Sequence, residues 1–213
     1  VVTYRELKSS DFPVVADFIW RMWASDEVKA KPEVALDYGY FILYSELLQS
    51  SVAFVADDGG RACGILVLNV LDGHPHNSHY LAKMTEHLLR MSEDPDGAVN
   101  VAHSLEVMRT FKDSEEVLAG KGIGAEVALF INDADHRGQG VGSGMFKHMA
   151  EYLHQRGVKK FFLHTDEYSY HNFYGVHRGM KILDARRSSG SIGDIKGVKL
   201  YIYADDVENQ LHD

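Results

Sequence analysis

Arg137-Gly138-Gln139-Gly140-Val141-Gly142-Ser143-Gly144 sets four glycines in eight residues between two patterned segments. Before it, residues 125–132 (AEVALFIN) read as a strand; after it, Val141, Met145, Met149 and Leu153 recur at helical spacing. Glycines let a backbone approach a ligand closely, and the unpaired N–H groups that open a helix carry the positive end of its dipole. The loop therefore suits an anion the size of a pyrophosphate, although a tight strand-to-helix turn needs the same residues. A second candidate is His74-x-His76-x-x-His79, whose three imidazoles have the spacing to ligate zinc. No partner aspartate follows, because Ser78 stands in its place.

The loop fits none of the common phosphate or nucleophile signatures. G-x-G-x-x-G fails, since its last glycine would fall on Ser143 or Met145, and G-x-x-x-x-G-K-[ST] is absent. A nucleophile elbow around Ser143 would need glycine at Val141. R-x-x-G-x-G does fit, on Arg137, Gly140 and Gly142. Further on, Asn172-Phe173-Tyr174-Gly175-Val176-His177-Arg178-Gly179-Met180 has the form F-Y-x-x-x-G-M. On these two motifs, in this order and after the expected strands, residues 125–183 resemble the GNAT-type N-acetyltransferases.

The resemblance implies an α/β chain with a mixed, twisted sheet whose two central strands diverge around acetyl-CoA. It implies that the backbone of Phe130, Ile131 and Asn132 pairs with the pantetheine arm, and that Arg137, Gly138, Gln139, Gly140, Val141, Gly142, Ser143 and Gly144 hold the pyrophosphate. Tyr174 matches the family's tyrosine that protonates the CoA thiolate, and Glu126 stands where a base is often found. Acetyl transfer to an amine needs a neutral amine, a polarised carbonyl and a proton for the leaving thiolate, and these residues supply candidates for each. Without the motif, Tyr174 reads as a core aromatic and Glu126 as a strand-edge carboxylate. Two departures stand out: Ala134 replaces a frequent proline, and Glu167 replaces an asparagine that touches the cofactor, where a carboxylate would repel phosphates.

The elements that must carry these residues follow from periodicity. Residues 1–8 read as a strand, and Ser10-Asp11 as the cap of a helix through Phe12, Val15, Phe18, Ile19 and Met22. Pro32 opens a second helix with Val34, Tyr38, Phe41, Ile42, Ser45 and Leu48 on one stripe. SVAFVA and RACGILVLNVL form a hairpin turned at Gly59-Gly60. Residues 72–124 read as a helical insertion between the third and fourth strands, with Leu81, Met84, Leu88 and Met91 and then Val101, Leu105 and Met108 as apolar stripes. Strand, glycine loop, helix, strand (FFLHT), a short helix and two closing strands complete an α/β chain read as one domain, 1–213. Residues 188–193 (SSGSIG) read as a mobile loop.

Composition narrows the function classes. Lys plus Arg number 22 against 31 Asp plus Glu, a formal charge of −9, so no basic field draws the chain to nucleic acid or anionic lipid. No apolar run reaches a membrane span, no signal peptide opens the sequence, and the single cysteine, Cys63, reads as a buried small residue in a cytoplasmic protein. The expectation is an acetyl-CoA-dependent N-acetyltransferase that uses no metal. Its acceptor is a small-molecule or peptide amine, drawn by acids such as Asp26, Glu27, Glu33 and Asp37; Tyr38, Tyr40, Phe41 and Tyr44 either line its pocket or form core. A homodimer is left open. The alternatives are a non-catalytic acyl-CoA-binding module and a zinc hydrolase built on His74, His76 and His79.

Overall fold

The computed structural model describes residues 1–72, 77–188 and 196–211. Seven strands, β1 (Thr3–Glu6), β2 (Val52–Asp58), β3 (Arg61–Val70), β4 (Ala125–Asn132), β5 (Lys160–Asp166), β6 (Lys181–Arg187) and β7 (Lys199–Asp206), form one sheet. Their order is β1-β2-β3-β4-β5-β7-β6, and β4–β5 is the parallel pair. The helices are α1 (Phe12–Trp23), α2 (Asp26–Lys29), α3 (Pro32–Leu48), α4 (His79–Ser92), α5 (Pro95–Ser114) and α6 (Val141–Gln155). The mixed α/β architecture expected from the sequence is present, with helices α4 and α5 between β3 and β4. Among the described residues no helix is long and apolar enough to cross a membrane.

The sheet separates two apolar cores. On one face, Val15 and Ile19 of α1, Phe41 and Leu43 of α3 and Met91 of α4 pack on Val55, Ile65 and Val67. On the other, Met145, Phe146, Met149 and Leu153 of α6 pack on Leu66, Leu68, Phe161 and Leu163. Alternation along each strand sends successive side chains to opposite cores.

One irregularity in β4 positions the site. Its register against β3 runs Leu68↔Val127 and then Val67↔Leu129, which leaves Ala128 as an extra residue. A bulge of this kind exchanges the faces beyond it. Accordingly Ala125 and Val127 join the α6 core, whereas Leu129 and Ile131 join the opposite one. Glu126 is thereby turned away from α6, and Phe130 toward it.

Several local expectations are revised. Asp11 does not cap α1 with its side chain; its carboxylate takes two bonds from the Arg5 guanidinium, at 2.8 and 3.0 Å, and the Lys8 N–H. The helix opening at Pro32 is preceded by the short α2, whose Ser25 hydroxyl caps it. Leu81 and Leu105 lie on the solvent side of α4 and α5, because α4 meets its neighbours through Met84, Leu88 and Met91 and α5 through Val101 and Met108. The two closing strands pair with each other, but it is β7, the later one, that lies against β5. Of the stretch read as mobile, residues 189–193 fall outside the described residues. Ser188 is buried, its N–H donating to the Val198 carbonyl and its hydroxyl accepting the Val198 N–H, both at 2.9 Å. Cys63 is buried, as expected.

Candidate active site

β4 and β5 pair at three positions only, Ala125↔Phe161, Glu126↔Phe162 and Val127↔Leu163. The remaining five residues of β4 have no partner on β5, so the two strands part toward their C-terminal ends. In an open α/β sheet that is where ligands enter. An unpaired strand edge also offers its N–H and C=O groups to an extended ligand.

Behind this opening lies a cavity of about 1440 Å³ between the sheet and helices α1, α3 and α5. Glu126 and Phe130 of β4, His164 and Asp166 of β5, Tyr38 and Glu46 of α3, and Tyr174 all line it. Two predicted catalytic residues, Glu126 and Tyr174, are thus brought to one space. The glycine loop is not part of its wall.

Tyr174 is carried by a short π-helical turn, Phe173–His177, and is 7% exposed. Its ring sits among Phe130, Phe146 and Tyr203, at centroid distances of 6.3, 5.9 and 5.6 Å. Burial raises its hydroxyl well above the ordinary tyrosine range, Asp166 adds to the rise, and a hydrogen bond with Thr165 opposes it. The group therefore remains a protonated donor across neutral pH.

Glu126 approaches the Asn69 amide, Nδ2 to Oε2 3.4 Å, and His164, Nδ1 to Oε1 3.4 Å. Across the cavity stands Glu46. Burial, with the negative charge of Glu126 second, raises its carboxyl to about 8. Tyr38 is pushed up to about 12 by burial, while its hydroxyl accepts from Ser104 at 3.4 Å. Asp166 accepts the Trp23 indole N–H at 3.0 Å and the N–H groups of Tyr168 and Ser169, tying the end of α1 to the end of β5.

The glycine loop has the features of an anion cradle. Gly138 and Gly140 have φ of 75° and 77°, and side chains there would project into open space. Gly140 caps α6 without any side chain accepting from its first N–H groups. Among the described residues, exposed Arg137 has no carboxylate partner. Val141 is buried in the α6 core; Gln139 donates to the Asp135 carbonyl at 3.0 Å. Gly144 makes room for Tyr4, whose hydroxyl would lie 1.9 Å from a Cβ at that position. Ser143 is half-buried in the first turn of the helix.

Phe130 lines the cavity and packs on Phe146 and Phe173 at 5.0 and 5.7 Å, while Ile131 points into the α1–α3 core. The Asn132 side chain is wedged between Gly64 and Gly142, with its Oδ1 buried and unpaired. Glu167, expected to disturb a phosphate, accepts the Lys199 N–H at 2.9 Å and is bound to the Arg187 guanidinium at 3.0 Å, and these, the Lys199 N–H foremost, hold its carboxyl below the usual range. Its charge is compensated within the fold.

Of the zinc triad, His74 and His76 lie outside the described residues. His79 is exposed at the start of α4 and belongs to no group of ligand atoms close enough to hold a metal among the described residues. The tyrosines of α3 divide: Tyr38 faces the cavity, whereas Tyr40 and Tyr44 stack around His87, at 4.8 and 5.6 Å, and Phe41 is core. Of the acids near α1–α3, Asp26 lines the cavity and Asp37 is held by Arg90. Glu46, His164 and Asp166 were not singled out from sequence. Signals for them exist: a carboxylate inside the apolar ILYSELL helix, and polar residues at alternate positions of the buried strand FFLHTD.

Residues 98–180 match the profile of the acetyltransferase (GNAT) family. No curated protein matches the chain. Among solved structures, a protein named SsHAT superposes with a TM-score of 0.59 at 15% identity, over 97% of this chain and 98% of its own. An agmatine N-acetyltransferase gives 0.53 at 15% identity, over 95% and 98%. A Drosophila melanogaster polyamine N-acetyltransferase gives 0.53 at 15% identity, over 95% and 99%. Residues 98–180, from α5 to the π-helical turn, thus carry the acetyltransferase (GNAT) family profile, and the chain shares its fold end to end with these solved N-acetyltransferases.

Proposed function

We propose that this chain transfers the acetyl group of acetyl-CoA directly to a primary amine. The reading rests above all on one observation: the strands part after Val127 and Leu163 beside a glycine-rich helix start, and Glu126 and Tyr174 line the cavity behind that opening. The residues fit a CoA thioester, since the free edge of β4 at Phe130, Ile131 and Asn132 can pair with an amide-bearing arm. Open glycines, uncapped α6 N–H groups and Arg137 suit a pyrophosphate.

In this reading Glu126 takes a proton from the incoming ammonium, and the neutral amine attacks the thioester carbonyl. A β4 N–H stabilises the oxyanion, and Tyr174, protonated and buried, donates to the departing thiolate. The acceptor enters from the α1–α3–α5 side. Four carboxylates line that cavity, Asp26, Glu115, Glu126 and Asp166, against the ammonium groups of Lys29 and Lys112, with the Glu46 carboxyl held protonated beside them, which favours a cationic amine. The agmatine and polyamine enzymes of like fold are acceptors' precedents for this class.

CoA release, followed with a thiol reagent across agmatine, spermidine, tyramine and an N-terminal peptide, tests the proposal. Amine-dependent release with a mass gain of one acetyl group on the amine is the expected result. Acetyl-CoA binding without turnover of any amine would instead favour a non-catalytic acyl-CoA-binding module.

A further inference from the structure

Acetylation of an ammonium leaves one proton over. R–NH₃⁺ loses two protons on becoming the amide; one ends on the CoA thiol, and the other must pass to solvent. Glu126 is 20% exposed, and once it has accepted that proton it must lose it before the next turnover.

His164 stands between the carboxylates of Glu126 and Glu115. Its Nδ1 is 3.4 Å from Glu126 Oε1, and its Nε2 is 3.9 Å from Glu115 Oε1. That Nε2 is buried and has no hydrogen-bond partner. The ring is held by Phe111, at a centroid distance of 4.4 Å, and edge-on by Phe162, at 5.2 Å. The other oxygen of Glu115 accepts from Lys112 Nζ at 2.6 Å. Side-chain exposure is 11% at His164, 23% at Glu115 and 78% at Lys112, so from the imidazole outward the chain of groups leads to solvent.

We infer that His164 relays the spent proton from Glu126 to Glu115 and thence to water. An imidazole is suited to this, since it can accept a proton at one ring nitrogen while releasing another from the opposite one. Nδ1 takes the proton of the Glu126 carboxyl, Nε2 gives its proton to Glu115, and Glu115 loses it to bulk water. Each passage leaves Glu126 ionised and the neutral imidazole protonated at Nδ1 instead of Nε2, and proton exchange with water restores the starting tautomer before the next passage, with no redox change. The 3.9 Å gap is about 1 Å longer than a hydrogen bond and is closed by rotation of Glu115 or by a bridging water. His164 contacts neither the thioester nor the amine in this role and acts through Glu126.

The inference rests on the acyl-transfer reading, and the test separates the two. CoA release is measured at fixed pH and ionic strength for the wild-type chain, His164→Phe, His164→Gln and Glu115→Gln, with the panel amine that the wild type turns over fastest. His164→Phe preserves a ring against Phe111 and Phe162 but carries no nitrogen; His164→Gln and Glu115→Gln serve if the phenylalanine variant does not fold. Both His164 variants are expected to lose kcat by roughly 10²-fold, with KM for acetyl-CoA unchanged, and to regain about tenfold as imidazole is added. Glu115→Gln should lose less and become dependent on buffer concentration. Wild-type kcat in His164→Phe, or a loss that neither imidazole nor buffer concentration moves, overturns the relay. A wild-type chain that turns over no amine overturns the acyl-transfer reading itself, and the relay falls with it.

Discussion

Val127 and Leu163 are the last residues at which β4 and β5 pair, and the site straddles the parting that follows, with Glu126 just before it and Phe130 just beyond it. The bulge at Ala128 comes one residue later on β4 and fixes which side chains face which core. Glu126, just before it, faces the α3–α5 side, and Phe130, just after it, packs under α6 with Tyr174 nearby.

Tyr174→Phe is expected to lower kcat by roughly 10²–10⁴-fold while acetyl-CoA still binds, because the ring packing survives and only the donor is lost. Since burial raises the hydroxyl, the wild-type enzyme should lose no activity through Tyr174 ionisation below about pH 10. A kcat–pH profile of both proteins checks this.

Glu126→Gln should be most damaging at low pH, where an alkyl amine with a pKa of about 10 is almost wholly protonated and a base is needed to release the nucleophile. Part of the loss should return as pH rises toward that value. Steady-state rates for wild type and variant between pH 6 and 9 give the comparison; a pH-independent ratio would remove Glu126 from the base role.

Glu46 predicts a stability effect with a definite sign. Its folded carboxyl titrates near 8, above the ordinary 4.5, so the folded state holds that proton more tightly than the unfolded one. The associated stability is present below about pH 4.5 and is lost as pH rises through 8. Glu46→Gln, which cannot ionise, should therefore melt higher than wild type at pH 9 and close to it at pH 5. In a chain of this size about 1 kcal/mol corresponds to roughly 2–4 °C. Calorimetric scans at the two pH values measure it.

Gly144 faces Tyr4, so Gly144→Val should destabilise the chain by about 1–3 kcal/mol through overpacking. Tyr4→Phe should rescue little, because the ring carbon Cζ would itself lie 2.5 Å from a new Cβ, whereas Tyr4→Ala in the same chain should recover part of the loss. Urea melts of the single and double variants decide.

Much of this was legible in the sequence because it is local. The glycine loop announces itself through residues that tolerate positive φ next to a helix start, and Gly138 and Gly140 do adopt it. The hairpin at Gly59-Gly60 and the helix opening at Pro32 are likewise read from neighbours in the chain. What escaped depends on tertiary arrangement. Nothing around Ala128 marks a bulge, and no pattern in β6 or β7 says which will lie against β5. Leu81 and Leu105 fit their helical stripes yet face solvent, since periodicity gives a stripe but not what covers it. Glu46, Glu126 and His164 lie more than thirty residues apart and form a site only once α3, β4 and β5 close on one cavity.

Thermal melts with and without acetyl-CoA, on wild type and Gly140→Asp, test the central claim most directly. At a hundredfold excess over Kd a ligand bound only by the folded state adds about 2.7 kcal/mol, so the wild-type melting temperature should rise. Gly140→Asp would set a side chain and a negative charge where φ is 77° and the space beyond is open, and should abolish the rise in a chain that still folds. No rise in the wild type at millimolar acetyl-CoA, or an undiminished rise in Gly140→Asp, would contradict the account.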